Sequence, residues 1–117
     1  MTLDEYQEKA LSTMTESSKR IDYLALGLAG EAGETADKIK KIIRDKGATL
    51  NTDCNIKCYL RPEEIQLIAK EIGDVLWYVA SLSHMFGFTL DGIARMNINK
   101  LAKRKAEGKI KGSGDER

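Results

Sequence analysis

The chain is poor in the residues that carry many familiar chemistries. It has one histidine, one tryptophan, one proline and two cysteines among 117 residues. No Ser–His–Asp or Cys–His arrangement is legible, so a covalent enzyme intermediate is not expected. Cys54 and Cys58 lie in a polar stretch, and the lone His84 falls on another helical segment. A four-ligand zinc site would need ligands from a second chain, and the two thiols read as ordinary reduced cysteines. No stretch approaches the roughly 18 apolar residues of a membrane span. The opening Met1-Thr2-Leu3-Asp4-Glu5 lacks the basic and apolar regions of a signal peptide, so the default expectation is a cytoplasmic protein without a membrane partner. A net charge of +1 argues against a nucleic-acid binder, and the basic Lys100 to Lys111 stretch reads as a solvated helix end.

Strongly β-prone runs are nearly absent, which predicts an all-α chain. Apolar residues make up 42% and charged residues 32% of the sequence, enough for one core built by helices with solvated faces. Thr2 with Glu5 has the capping-box spacing and predicts a helix from there to about Glu16, broken by Ser17 and Ser18. Leu24, Leu28, Ala32, Ala36, Ile39 and Ile43 recur at helical spacing, predicting a second helix over about 21–44. Residues 45–61 read as a long loop. Pro62 suits the first turn of a third helix, followed by Glu63 and Glu64, where acids favour the helix dipole. Its apolar stripe runs from Ile65 to Phe86, and Gly87 stops it. Thr89 then caps a fourth helix through Ile98 and Leu101, and 108–117 reads as a frayed tail. The expectation is a single domain, 1–117, resembling a four-helix bundle.

One short pattern occurs twice. Glu31-Ala32-Gly33-Glu34 falls in the second helix and Glu71-Ile72-Gly73-Asp74 in the third. Positions three apart share a helix face, so each pattern presents two carboxylates on one side. Like charges at that spacing repel, and each mid-helix glycine costs about 1 kcal/mol relative to alanine. A bound cation accounts for an unfavourable pattern used on two central helices. Carboxylate oxygens are hard ligands that suit Mg²⁺, with Mn²⁺ as a substitute. Iron or manganese carboxylate bundles normally add a Glu-x-x-His ligand pair, which is missing here. Gly33 and Gly73 are expected to let helices or a ligand approach closely.

Other residues extend the same faces. Lys38 and Lys41 follow Glu34, Trp77 and Tyr78 follow Asp74, and Asn97, Lys100 and Arg104 form a stripe on the fourth helix. An acidic metal centre flanked by basic groups suits a triphosphate, and a nearby aromatic ring suits a base. For Lys41 and Trp77 the plainer readings are surface charge and core.

With LAGEAGE, KEIGDVLWY, the opening EYQEKAL and the later NINKLAKR in view, the sequence resembles the MazG-like nucleoside triphosphate pyrophosphohydrolases, an all-α group. The resemblance spans about residues 5–108. It implies that Glu31, Glu34, Glu71 and Asp74 bind Mg²⁺ and that Lys100 and Arg104 contact phosphate with Asn97 beside them. It also implies that Tyr78 lies near the nucleoside. Lys105-Ala106 stand where Tyr-Pro is common in the group, and the segment between the acidic pairs is longer than in many short members. The implied protein is a homodimer or homotetramer with sites near subunit interfaces. It would convert (d)NTP to (d)NMP and pyrophosphate, in nucleotide-pool house-cleaning. From the helix faces themselves, Glu34 and Glu71 are the expected catalytic carboxylates and Lys38 an expected substrate contact. Pyrophosphatases of the same fold directed at dUTP or phosphoribosyl-ATP, and a non-catalytic helical regulatory module, are the alternatives.

Overall fold

A computed structural model describes residues 1–47 and 60–115. Among them are four α-helices and no strand: α1 (Leu3–Leu11), α2 (Ile21–Lys46), α3 (Pro62–Met85) and α4 (Leu90–Ala106). A 3-10 turn, Glu16–Ser18, joins the first two. The chain is all-α, as its composition predicts. Cys54, Cys58 and most of the expected 45–61 loop lie outside the described residues.

The helix ends follow from local chemistry. The Thr2 N–H donates to Glu5 Oε2 at 2.6 Å and the Glu5 N–H to Thr2 Oγ1 at 3.1 Å, a reciprocal cap for α1. That helix stops at Leu11, short of the expected Glu16. The hydroxyls of Ser12 and Thr13 turn back onto the carbonyls of Lys9 and Ala10, at 2.6 and 2.7 Å, and compete with further helix. Helix α2 runs two residues past Arg44 and ends at Gly47. Pro62 opens α3, and the Glu64 carboxylate accepts the Arg61 N–H at 2.8 Å. At its far end Gly87 takes the left-handed conformation, φ 79°, which a side chain would strain. Thr89 then caps α4 by accepting the Gly92 N–H at 3.0 Å.

Helix α3 is the centre of the packing, contacted by each of the other three. Ala10, Ala80 and Leu90 form a small core with Tyr6, Trp77 and Val79 against it. The Trp77 indole N–H donates to Thr13 Oγ1 at 2.8 Å and to the Ala10 carbonyl at 3.2 Å, so this ring fastens α1 to α3. Buried Gln7 does more: its Nε2 donates to the carbonyls of Ala80 (3.0 Å) and Phe88 (3.2 Å), and its Oε1 accepts the Leu90 N–H (3.0 Å). One side chain thereby ties α1 to α3 and to the start of α4.

Helix α2 lies along α3 and leaves much of its apolar stripe uncovered. Leu26 is 75% exposed, and Ile72, within the apolar stripe of α3, is 55% exposed. The radius of gyration is 17.1 Å, against about 13 Å for a compact chain of this length.

Candidate metal and phosphate site

Three contacts fix how α2 and α3 are paired. The Tyr78 ring lies on the backbone of Gly27 near one end. Lys38 Nζ sits 3.0 Å from Glu71 Oε1 in the middle, and Lys46 Nζ 2.6 Å from Glu64 Oε2 at the other end. The helices are therefore antiparallel. That direction reverses the second acidic pattern relative to the first, so that Glu31 is level with Asp74 and Glu34 with Glu71.

Carboxylate oxygens of Glu31, Glu34 and Glu71 come within 4.8 Å of one another, the one such cluster of possible metal ligands among the described residues. Asp74 stands outside this trio, yet its charge reaches Glu31, Tyr6 and Tyr78. Burial lifts the Glu31 carboxyl above its ordinary pKa, and the charges of Glu34, Asp74 and Glu71 lift it further. The site therefore concentrates negative charge that costs free energy. Three hard oxygens this close together, presented from two neighbouring helices, fit a divalent cation such as Mg²⁺. Among the described residues no histidine joins the cluster, and His84 is exposed in the last turn of α3.

The cation already present is Lys38. Its bond to Glu71, and then that charge and the charge of Glu34, raise its pKa, so it stays protonated beside the acids. Further along the helix pair, Lys38 and Lys41 line a cleft of about 210 Å³ with Ile42, Glu64, Leu67 and Ile68. Lys41 is itself paired with Asp37 at 2.6 Å.

The opposite end is aromatic. Tyr78 sits one turn beyond Asp74, with Trp77 edge-on to it at 4.9 Å between centroids and 83° between planes. Its phenol is held above its ordinary pKa by burial, by neighbouring Tyr23 and by the charges of Glu31 and Asp74.

The α4 residues are disposed differently. Asn97 and Lys100 line a cleft of about 360 Å³ with Ile93 and Met96. Arg104 is buried at 6% exposure, and its Nη2 donates to the Asp115 carbonyl (2.8 Å), Asp115 Oδ1 (3.1 Å) and the Gly114 carbonyl (3.3 Å). Lys100 Nζ also reaches Asp115 Oδ1, at 3.3 Å. Among the described residues no ion pair joins Lys100 or Arg104 to the four acids. The single chain thus brings together Glu31, Glu34, Lys38 and Glu71, with Asp74 and Tyr78 alongside, and directs Lys100 and Arg104 to the C-terminal segment.

Within the chain the close approach between helices falls at Gly27, while the space at Gly33 and Gly73 stays open to a ligand. A side chain at Gly33 or Gly73 would meet nothing within 4 Å, whereas one at Gly27 would strike Tyr78. The available signal was the position of Gly27, one turn before Glu31 in a helix where glycine is costly. Tyr23 and Asp115 were also passed over, and neither belongs to a pattern that marks it.

A family model, the MazG nucleotide pyrophosphohydrolase domain, matches residues 19–108. The Gene 37 protein of Mycobacterium phage L5 is 38% identical, in an alignment that covers the whole of both chains. No solved structure gives a significant match.

Proposed function

The chain belongs to the MazG nucleotide pyrophosphohydrolase family, and we propose that it is a Mg²⁺-dependent enzyme that cleaves nucleoside triphosphates to monophosphate and pyrophosphate. The observation that carries this reading is the meeting of Glu31, Glu34 and Glu71 oxygens within 4.8 Å, with the Lys38 ammonium 3.0 Å from Glu71. Glu31, Glu34, Glu71 and Asp74 would hold the ion, which supplies neutralisation of the phosphate oxygens and a Lewis acid toward them.

The remaining work belongs to the chain. Lys38 is placed to exchange its bond to Glu71 for one to a phosphate oxygen, a charge-assisted contact of similar geometry. Glu34, the exposed member of the trio, is the carboxylate we assign to accept the proton of the water that attacks the α-phosphorus, with Glu71 beside it holding the ammonium of Lys38. Tyr78 closes the nucleoside end. The rigid α2–α3 pair contributes by fixing these groups before substrate arrives.

The substrate contacts assigned to Asn97, Lys100 and Arg104 are proposed to arise in an assembled dimer or tetramer. The exposed Leu26, Ile72, Met96 and Ile98 support such an assembly, since a second copy would bury them. No helix among the described residues is long and apolar enough to cross a membrane.

Purified protein incubated with Mg²⁺ and a panel of canonical and modified (d)NTPs, including dUTP, tests the assignment. The expected products are monophosphate and pyrophosphate, with activity lost on chelation. Release of orthophosphate from the γ position would contradict it.

A further inference from the structure

Helix α2 contains glycine at 27, 30 and 33, and each costs helix stability. Their surroundings differ. A Cβ built at Gly30 or Gly33 meets nothing within 4 Å. One built at Gly27 lies 2.8 Å from Tyr78 Cδ1 and closer still to Cε1 and Cζ. These are atoms in the body of a ring, not the end of a flexible chain. The ring has little freedom to retreat, because it is half-buried, edge-on to Trp77 and beside Tyr23. Trp77 in turn is tied to α1 through its indole N–H. Gly27 precedes Glu31 by one turn and Tyr78 follows Asp74 by one turn, so the contact stands next to the acidic cluster on both helices.

We infer that Gly27 is a positioning residue: its missing side chain seats the Tyr78 ring against α2 beside Glu31 and Asp74, where the ring forms the wall met by the nucleoside of a bound triphosphate. This rests on the pyrophosphohydrolase reading and adds to it the residue that sets where the nucleoside end of the cleft lies. Gly27 touches no substrate itself and acts only through Tyr78.

A double-mutant cycle separates this role from a general need for glycine. Gly27→Ala in the otherwise natural chain should lower Tm by about 5 °C or more, because the ring must move. In a Tyr78→Ala background the same change should raise Tm, since alanine is the better helix former once the ring is gone. The emission of Trp77, the single tryptophan, should shift in Gly27→Ala because its edge-on partner is displaced. With nucleotide, Gly27→Ala and Tyr78→Ala should each raise KM about tenfold with kcat changed much less, and the double variant should be no worse than Tyr78→Ala alone. Equal destabilisation by Gly27→Ala in both backgrounds, or KM effects that add, would overturn the inference. If no nucleotide is hydrolysed or bound by the natural protein, the pyrophosphohydrolase reading and the nucleoside wall fail together. The sign of the Tm change then still decides whether Gly27 seats Tyr78.

Discussion

At Glu31 the protein holds a carboxylate ionised against its surroundings. Its pKa in the fold lies above the ordinary 4.5 through burial and three neighbouring acids. The folded state therefore binds this proton more tightly than the unfolded chain, and stability falls as pH rises from 4.5 through the raised value. Above that value the loss is complete. Glu31→Gln should thus raise the Tm of the metal-free protein at pH 7 while abolishing Mg²⁺-dependent hydrolysis, an exchange of stability for function. Thermal melts in chelator check it, and a lower Tm would count against the strained site. Glu71→Gln and Asp74→Asn should each cut turnover about 100-fold or more without unfolding the protein, measured by pyrophosphate release beside far-UV circular dichroism. The acidic residues were legible in the sequence because a costly arrangement was written twice on two apolar-striped helices. Gly27 was not, since its value depends on a ring 51 positions away in the chain (Gly27 to Tyr78). The disposition of Arg104 was equally hidden. A basic stripe read from helical spacing cannot reveal that Asp115 comes back to meet it.

At the scale of elements, local chemistry decided most helix ends. Thr2 with Glu5, Pro62, Gly87 and Thr89 each act where their spacing put them. The end of α1 escaped because Ser12 and Thr13 were read as helical residues, although their hydroxyls are well placed to take carbonyls of the preceding turn. How the elements are tied together was not legible. Gln7 looks like a solvated helical residue, yet it is buried and bonds one backbone group each of α3, of Phe88 in the connection and of α4. Gln7→Ala should cost about 2–3 kcal/mol, since it removes three hydrogen bonds and leaves the buried Leu90 N–H without its partner. Chemical denaturation measures that cost, and a loss below half of it would show that water replaces the amide. The α2–α3 pairing carries an acid-sensitive contact as well. Lys46, the Arg61 N–H and the Arg61 side chain hold the Glu64 carboxyl down at about 2, from an ordinary 4.5. Its contribution is present above 4.5 and is lost as pH falls towards 2. Glu64→Gln should therefore flatten the decline in Tm over that acid range, and an unchanged slope would show that the pair contributes nothing.

For the molecule as a whole, the apolar stripes that announced the helices exceed what one chain covers. Leu26, Ile72, Met96 and Ile98 are all more than half exposed, and the chain is more extended than a compact domain. Light scattering after gel filtration should give a dimer or tetramer, and Leu26→Lys combined with Ile98→Lys should shift it towards monomer. A natural protein that runs as a monomer at micromolar concentration would refute the assembly. The all-α class followed from composition, whereas the assembly depends on faces whose partners a single sequence does not reveal. Everything rests on two antiparallel helices that gather Glu31, Glu34 and Glu71, with Asp74 alongside, to hold a divalent ion against a polyphosphate. Calorimetric titration of Mg²⁺ with and without a non-hydrolysable nucleoside triphosphate tests it most directly. Nucleotide should tighten Mg²⁺ binding, and Glu31→Gln or Glu71→Gln should remove this coupling. Mg²⁺ binding indifferent to the nucleotide, or coupling that survives both substitutions, would contradict it.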